Sequence, residues 1–173
     1  MVESDGPIVV MTNLQFQKRT VKKPIIGDIF SLMLPGSTFL FGLVIGADLP
    51  SGRAPMPGSY LLYVYADQSP NPEPDLDNLS AERLLIAPFF TNRMLWTKGY
   101  AQTIGNMKIS AARLLPQHCF KDLLLERYYD EQGRTLPRRY EPCGSWGLGS
   151  YRKLDDLISD ALGIERVPVL PGD

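Results

Sequence analysis

The fold of this chain is decided by residues 23–45, which read KPIIGDIFSLMLPGSTFLFGLVI. Two apolar runs, residues 28–34 and 39–45, flank the turn dipeptide Pro35-Gly36. Runs rich in β-branched and aromatic residues on either side of such a turn predict a β-hairpin. A glycine interrupts the second run, as happens where a strand bends or where other atoms approach the backbone closely. The segment predicts two neighbouring strands of a small barrel-like sheet, and it carries no catalytic chemistry itself.

Length and composition bound the class of protein. The chain has 173 residues, a formal net charge of −1 and two cysteines. This length predicts a single domain that buries about 70% of its unfolded surface and needs no disulfide support. The near-neutral charge argues against a general nucleic-acid-binding protein, which usually has a strongly basic face. Two cysteines are too few for a disulfide scaffold, so Cys119 and Cys143 are expected to be reduced and partly buried.

The domain organisation is predicted to be simple. Residues 1–14 are interpreted as a flexible leader, residues 15–169 as a single globular domain, and residues 170–173 as a tail. The first residues are acidic where a secretory signal would be basic, and the sequence has no run of about 20 apolar residues that could span a membrane. We therefore expect a cytoplasmic protein without a membrane partner.

Further strands are predicted outward from the hairpin by β-branched and aromatic content and by turn residues. Residues 15–23 fit either a first strand or an ordered arm, and residues 143–149 are glycine-rich and predicted to be irregular. Residues 120–130 fit a strand or a helix, and the turn that follows them favours a strand. The predicted strands are residues 59–67, 84–96, 100–104, 108–115, 120–130, 134–140 and 165–169.

One helix is predicted, at residues 151–162. Its apolar residues recur at spacings of three and four, which places them on one face. Ser150 is a suitable N-cap and Gly163 a suitable C′ residue. The predicted fold class is therefore α+β and mainly β: a small antiparallel, partly open barrel-like sheet with one C-terminal amphipathic helix.

Catalytic and metal-binding patterns are sparse. The single histidine, His118, has no neighbours at a recognised ligand spacing, whereas zinc sites need several His, Cys or carboxylate ligands. Cys119 would point to the opposite face of a strand from His118, although Cys143 could approach that histidine in space. The sequence thus predicts no cofactor, no metal and no catalytic residue. A small phosphoester hydrolase, with a metal or a nucleophile near His118, is the enzymatic alternative.

The distribution of charge is more informative. The segment 67–82 has no Lys or Arg, and the following segment, 83–121, has six basic residues and no acidic one. Opposite charges across an interface raise association rates and specificity. The acidic segment contains three prolines and is interpreted either as an ordinary solvated loop or as the docking surface for a basic partner, such as a nuclease toxin. Its candidate toxin-binding residues are Asp67, Glu73, Asp75, Asp77 and Glu82.

A third possibility is a small-barrel module that binds nucleic acid. It would act through basic residues near both ends of the domain, and its binding would be sensitive to salt. The net charge makes this interpretation the least favoured. The residues concerned are Lys18, Arg19, Lys22, Lys23, Arg138 and Arg139.

Several stretches resemble the Immunity protein 26 family over about residues 22–167. They are similar to the family's opening Gly-Asp-hydrophobic-Phe strand, its apolar hairpin with a Gly-x-Val return, and a Trp followed by Ile-Gly-Asn. A weaker match follows the predicted helix, whereas the family's segment precedes one. The matching residues are Gly27-Asp28-Ile29-Phe30, Leu34-Pro35-Gly36, Phe41-Gly42-Leu43-Val44-Ile45, Trp96, Ile104-Gly105-Asn106 and Leu162-Gly163-Ile164-Glu165-Arg166.

The resemblance implies a cytoplasmic antidote in a bacterial toxin–immunity pair, which binds and occludes its cognate toxin without catalysis. The family supplies no motif of catalytic residues. Some relatives carry a phosphotriesterase label, but such hydrolases ordinarily use two metals held by several histidines. The chain departs from the family in its long proline-rich loop and at Leu43, where a basic residue is common. Contacts with the toxin are expected on the loops at residues 67–82 and 50–58.

Overall fold

A computed structural model describes residues 12–169. The predicted tail and residues 1–11 of the predicted leader lie outside the described residues. The main sheet is antiparallel, with the strand order β4-β3-β2-β1-β5. Its strands are β1 (Asp28–Met33), β2 (Phe39–Leu49), β3 (Ser59–Val64), β4 (Phe89–Thr91) and β5 (Ala101–Asn106).

The predicted hairpin is confirmed as β1 and β2, and it is covered on both faces. Phe30 and Leu40 are fully buried in the cluster that contains Trp96, while Ile29 and Leu43 are buried in a second cluster on the other face. Burial on both faces explains why the two strands are apolar along their whole length. Each buried Leu, Ile or Phe side chain contributes about 1.5–3 kcal/mol, so the hairpin organises the core.

Gly42 in β2 is required by close packing. A Cβ atom at this position would lie 2.1 Å from Cζ of Phe30 and 2.6 Å from the carbonyl oxygen of Tyr63. A methyl group cannot occupy that space without moving backbone atoms of the neighbouring strand. The prediction of a close approach at this glycine is confirmed.

A smaller second sheet follows the main sheet in sequence. Its strand order is β8-β7-β6-β9, and β6 pairs with β9 in parallel while the other pairs are antiparallel. Neither sheet closes into a barrel. The strands are β6 (Cys119–Asp122), β7 (Tyr128–Tyr129), β8 (Thr135–Leu136) and β9 (Cys143–Trp146).

The second sheet corrects two sequence predictions. Residues 120–130 do not form one strand, because the Asp122 carboxylate accepts hydrogen bonds from the amides of Leu124 and Leu125 and turns the chain. This loop leaves Leu124 93% exposed. Residues 143–149 were predicted to be irregular, yet their first part is β9. Gly144 occurs there because the Pro88 carbonyl oxygen lies 2.4 Å from where its Cβ would be, so this glycine marks close packing and not a turn.

The C-terminal helix is confirmed as α2 (Tyr151–Leu162). Ser150 Oγ accepts a hydrogen bond from the Lys153 amide, and Gly163 adopts a left-handed conformation with φ of 70°. The helix packs its apolar face on the main sheet through Leu154 and Ile158. Its Asp155 carboxylate accepts the amide hydrogens of residues 13 and 14 at 3.0 and 2.7 Å, and so holds the last residues of the predicted leader against the domain.

Other predicted strands are shorter or absent. The region 84–96 contains β4 and then a short helix, α1 (Met94–Thr97), which begins after Asn92 accepts a hydrogen bond from the Met94 amide. Residues 108–115 and 165–169 are not strands. The former instead cover the second apolar cluster as a loop with one 3-10 turn. Residues 15–23 form an ordered arm, joined to β1 by a bridge between Gln15 and Met33 and by side-chain hydrogen bonds between Gln17 and Ser31.

Candidate functional site

The acidic segment leaves β3 and is fixed in place by contacts with the domain. Leu79 is 1% exposed and anchors its middle in the core. The Arg113 guanidinium donates hydrogen bonds to the carbonyl oxygens of Leu76 and Leu79, at 2.7 and 2.8 Å. At the edge of the segment, Arg83 donates to the Asp67 carboxylate at 2.9 Å. The segment therefore presents its carboxylates from a defined backbone.

Three of the five predicted acidic residues come together. Asp67, Glu73 and Asp75 line one cavity of about 200 Å³, while the other two, Asp77 and Glu82, lie outside it on the exposed surface. The cavity wall also includes the apolar side chains of buried residues from β2 and the acidic segment, and one tyrosine that the sequence did not indicate. These additional residues are Phe41, Leu79 and Tyr65.

Tyr65 is the residue of the site that sequence reasoning missed. Its side chain is 1% exposed, and its hydroxyl has no hydrogen-bond partner among the described residues. Burial raises the pKa of this phenol far above its ordinary value, so the hydroxyl is neutral. The sequence contains one signal that could have found it. Tyr65 lies two residues before Asp67, and residues two apart on an extended chain face the same side.

Asp67 has one partnered and one unpartnered oxygen. Oδ1 accepts from Arg83, whereas Oδ2 is buried and has no hydrogen-bond partner within the described part of the chain. The Tyr65 hydroxyl and Asp67 Oδ2 also do not bond to each other. The residues that line the cavity thus contribute three carboxylates, and two of these residues, Tyr65 and Asp67, each have a buried polar atom with unused hydrogen-bonding capacity. Such a site can accept hydrogen bonds from a positively charged group.

The carboxylates of the cavity do not form a metal site. No group of three or more His, Cys, Asp or Glu side chains is arranged to hold a metal ion within residues 12–169. The acidic side chains line one cavity but do not converge on a single point. The geometry suits a larger cation that offers several separated N–H donors.

His118 lies in a separate buried network. It is 5% exposed, with Nε2 at 2.6 Å from the Tyr63 hydroxyl and Nδ1 at 3.2 Å from a Glu131 carboxylate oxygen. The Tyr63 oxygen in turn accepts from the Leu115 amide at 3.0 Å. Burial lowers the pKa of His118 and outweighs the opposing effect of Glu131, which is partly exposed to water. A neutral ring that donates from Nδ1 and accepts at Nε2 fits every bond in this network.

The two cysteines meet each other and not the histidine. Cys119 and Cys143 are in register across β6 and β9, and their sulfur atoms lie 3.2 Å apart. Burial, with the contact to the other thiol, raises the pKa of Cys143 to about 12. A thiol with this pKa is protonated at neutral pH and is a weak nucleophile. The approach of Cys143 to His118 that the sequence left open is not among the contacts of either residue.

The basic residues of the nucleic-acid alternative are divided between two places. Four of them, Lys18, Arg19, Lys22 and Lys23, line one concave surface beside β5. Arg138 instead lies over the Tyr140 ring at 3.9 Å, and Arg139 pairs with Glu141. The six residues therefore do not form one continuous basic surface. None of the helices within the described residues has the length and apolar character needed to cross a membrane.

One of the comparisons with known proteins identifies a family. The family model of Immunity protein 26 matches residues 25–130, which is more than half of the chain. The match includes the hairpin, the acidic segment and the loop that carries His118. No curated protein and no solved structure matches the chain. The match over residues 25–130 shows that the chain belongs to the Immunity protein 26 family.

Proposed function

We propose that this chain is a cytoplasmic immunity protein that neutralises a cognate bacterial toxin by binding and occluding it, without catalysis. Membership of the Immunity protein 26 family is the observation that supports an immunity function. The acidic segment, residues 67–82, is the proposed contact surface, and the toxin surface that it meets is basic.

The physical character of the acidic segment supports this assignment. Its five carboxylates outnumber the two guanidinium groups that contact the segment, those of Arg83 and Arg113, so its net charge is negative. Its backbone is held by Arg113 and Leu79, so little conformational entropy is lost on binding. Leu76 is 47% exposed between Asp75 and Asp77 and adds an apolar contact to the charged surface. Charged surfaces of this kind accelerate association with a partner of opposite charge.

A stoichiometric mechanism is supported by the state of the nucleophile candidates. The ring nitrogens of His118 both have partners in the buried network, and the Cys143 thiol is protonated at neutral pH. Titration of a cognate toxin, sought among the products of neighbouring genes, distinguishes the mechanisms. Occlusion predicts that toxin activity ends at one equivalent of this protein, whereas loss of toxin activity at a few hundredths of an equivalent contradicts it.

The contact surface is tested with two charge-matched double variants. Glu73→Gln with Glu82→Gln removes two exposed carboxylates from the acidic segment, and Glu126→Gln with Glu165→Gln removes two exposed carboxylates elsewhere. The first pair is expected to slow association with the toxin about tenfold at low salt, because steering by charge is lost, and the difference is expected to shrink at high salt. The second pair is expected to associate like the original chain.

A third variant gives an independent surface for comparison. Leu124→Asp changes the most exposed leucine of the β6–β7 loop and is far in sequence from the acidic segment. We expect it to leave toxin binding unchanged. If Leu124→Asp loses toxin binding while both Glu→Gln double variants associate normally, the contact surface lies on the β6–β7 loop. Absence of toxin binding and of growth rescue in the original chain would contradict the immunity function.

A further inference from the structure

We propose that the cavity beneath the acidic segment binds one arginine side chain of the partner, whose guanidinium donates hydrogen bonds to Tyr65 Oη and Asp67 Oδ2. This inference rests on the proposed function for the identity of the partner. The cavity of the isolated chain is itself expected to select guanidinium over other cations.

The two unpartnered atoms point to a ligand. Buried polar groups in folded proteins are almost always hydrogen-bonded, and an unsatisfied one costs about 1–3 kcal/mol. Here two such atoms, Tyr65 Oη and Asp67 Oδ2, belong to residues that line the same cavity. Elsewhere in the described chain the buried polar side chains are satisfied, as in the network of His118 and the contacts of Asp155. The cavity is therefore the place where this fold leaves hydrogen-bonding capacity unused.

The charge of the cavity selects a cation. Asp67, Glu73 and Asp75 contribute carboxylates, and an anionic or carboxylate ligand would be repelled by them. Arg83 occupies one oxygen of Asp67 and leaves the other free to accept. The carboxylates of the cavity are not arranged to hold a metal ion. A cation whose N–H donors are separated in space suits them better.

Geometry and size favour guanidinium among cations. The Tyr65 hydroxyl and Asp67 Oδ2 do not bond to each other, so a ligand that satisfies both must reach two acceptors at once. Guanidinium presents five N–H donors in a fixed planar fork, whereas ammonium is a compact point charge. The volume of about 200 Å³ is below the roughly 300–1,000 Å³ of sites for drug-sized ligands. A single side chain fits it, with Phe41 and Leu79 beside its apolar stem.

The isolated protein tests the cavity without the toxin. Methylguanidinium, methylammonium and tetramethylammonium are titrated in turn into labelled protein, and the amide signals of residues 65–79 are followed by NMR. We expect saturable shifts with methylguanidinium, weaker shifts with methylammonium and none with tetramethylammonium, which carries the same charge but no N–H donor. Tyr65→Phe is expected to weaken the methylguanidinium response several-fold, whereas Glu82→Gln, an acidic position outside the cavity, is expected to retain it.

The toxin supplies the second measurement. Tyr65→Phe and Asp67→Asn are each expected to weaken toxin binding about tenfold, chiefly through faster dissociation, while Glu126→Gln is expected to bind like the original chain. Equal responses to all three cations, or no response to methylguanidinium, would overturn the cavity site and indicate a pocket that holds water. A methylguanidinium response without toxin binding would contradict the proposed function and leave the site intact. Toxin binding that is indifferent to Tyr65→Phe would overturn the role of the cavity in recognition.

Discussion

Tyr63 lies in β3 and Tyr65 directly follows that strand, and their rings meet edge to face with centroids 6.3 Å apart. Both side chains are buried, at 0% and 1% exposure. The Tyr63 hydroxyl has partners on both sides, and the Tyr65 hydroxyl has none among the described residues. Neighbouring positions of the same residue type thus have opposite hydrogen-bonding states, and this difference separates a structural network from a site that can take a ligand.

The partners of Tyr63 come from distant parts of the chain. The Leu115 amide donates to its oxygen, its own O–H donates to His118, and His118 donates to Glu131. These four residues form a closed network, in which each of these groups has a hydrogen-bond partner. The closed network ties β3 to the loop before β6 and to the β7–β8 turn. Burial raises the pKa of Tyr63 to about 12, so its hydroxyl keeps its proton throughout the neutral range. Around Tyr65, by contrast, the acidic segment supplies carboxylates that line a cavity, and the Tyr65 hydroxyl has no partner among the described residues. We call this cavity the open site.

Removing the centre of the closed network is expected to have the largest effect. His118→Ala leaves the Tyr63 hydroxyl without its acceptor and opens a cavity beside Phe120, whose ring lies parallel to the imidazole. We expect the free energy of unfolding to fall by about 3 kcal/mol, from lost packing and an unsatisfied hydroxyl. Urea unfolding measures this change. A loss below about 1 kcal/mol would show that the network contributes no more than an ordinary hydrogen bond.

The two tyrosines allow a matched test of the comparison. Tyr63→Phe removes a hydroxyl that satisfies both His118 and the Leu115 amide, so we expect a loss of about 2 kcal/mol in unfolding free energy. Tyr65→Phe removes a hydroxyl without a partner, so its unfolding free energy is expected to stay within about 0.5 kcal/mol or to rise. Similar losses in both variants would mean that Tyr65 has a stabilising partner and that the comparison is false.

Much of the main sheet could be predicted from the sequence, because its signals are local. The hairpin at residues 28–45, the strand that starts at Ser59 and helix α2 each follow from apolar pattern, turn residues and caps within a few positions. In the second sheet, the antiparallel β7–β8 hairpin follows from the turn at residues 130–133. The parallel β6–β9 pair could not be predicted, because it joins residues 24 apart in sequence. A parallel pair leaves no turn signature, and the glycine of β9, followed by Gly147 and Gly149, imitates a loop.

The candidate site likewise has features that the sequence shows and features that only the three-dimensional structure shows. The carboxylates of residues 67–82 are visible as a charge pattern, although the sequence could not tell which of them share a cavity. The role of Tyr65 depends on a missing partner, and that of His118 depends on Tyr63, 55 positions earlier in the chain. Both are properties of three-dimensional packing, so neither has a local pattern in the sequence.

The closed network is also expected to make stability depend on pH. The pKa of His118 is lowered in the folded protein because it is buried, so below the unfolded pKa of about 6.5 the unfolded chain binds more protons. Stability is therefore present above that pH and is lost as the pH falls from about 6.5 towards the lowered pKa, by at most about 1.4 kcal/mol per pH unit. Urea unfolding between pH 7.5 and 5, at roughly half-unit steps, measures the slope.

His118→Gln is the control for this pH dependence, because glutamine does not titrate. The part of the slope due to His118 should be absent from this variant, whereas contributions from Asp155 and other carboxylates should remain. Tyr65→Phe should keep the full slope, since its hydroxyl does not titrate in this range. A stability that rises as the pH falls through 6.5 would mean that Glu131 and Asp130, which oppose the effect of burial, dominate the pKa of His118.

Arg83 offers the smallest and most selective test, because it is the cation already beside the open site. Its ion pair with Asp67 is exposed, at 50% and 34% of the two side chains, and exposed pairs contribute about 0–1 kcal/mol. Arg83→Ala is therefore expected to change the unfolding free energy by less than about 0.5 kcal/mol. It also releases Asp67 Oδ1, so the affinity for methylguanidinium is expected to rise about twofold, with Arg127→Ala in the β6–β7 loop as the control. A weaker response in Arg83→Ala would mean that Arg83 holds Asp67 in its binding position, and that the open site depends on this partner as the closed network depends on His118.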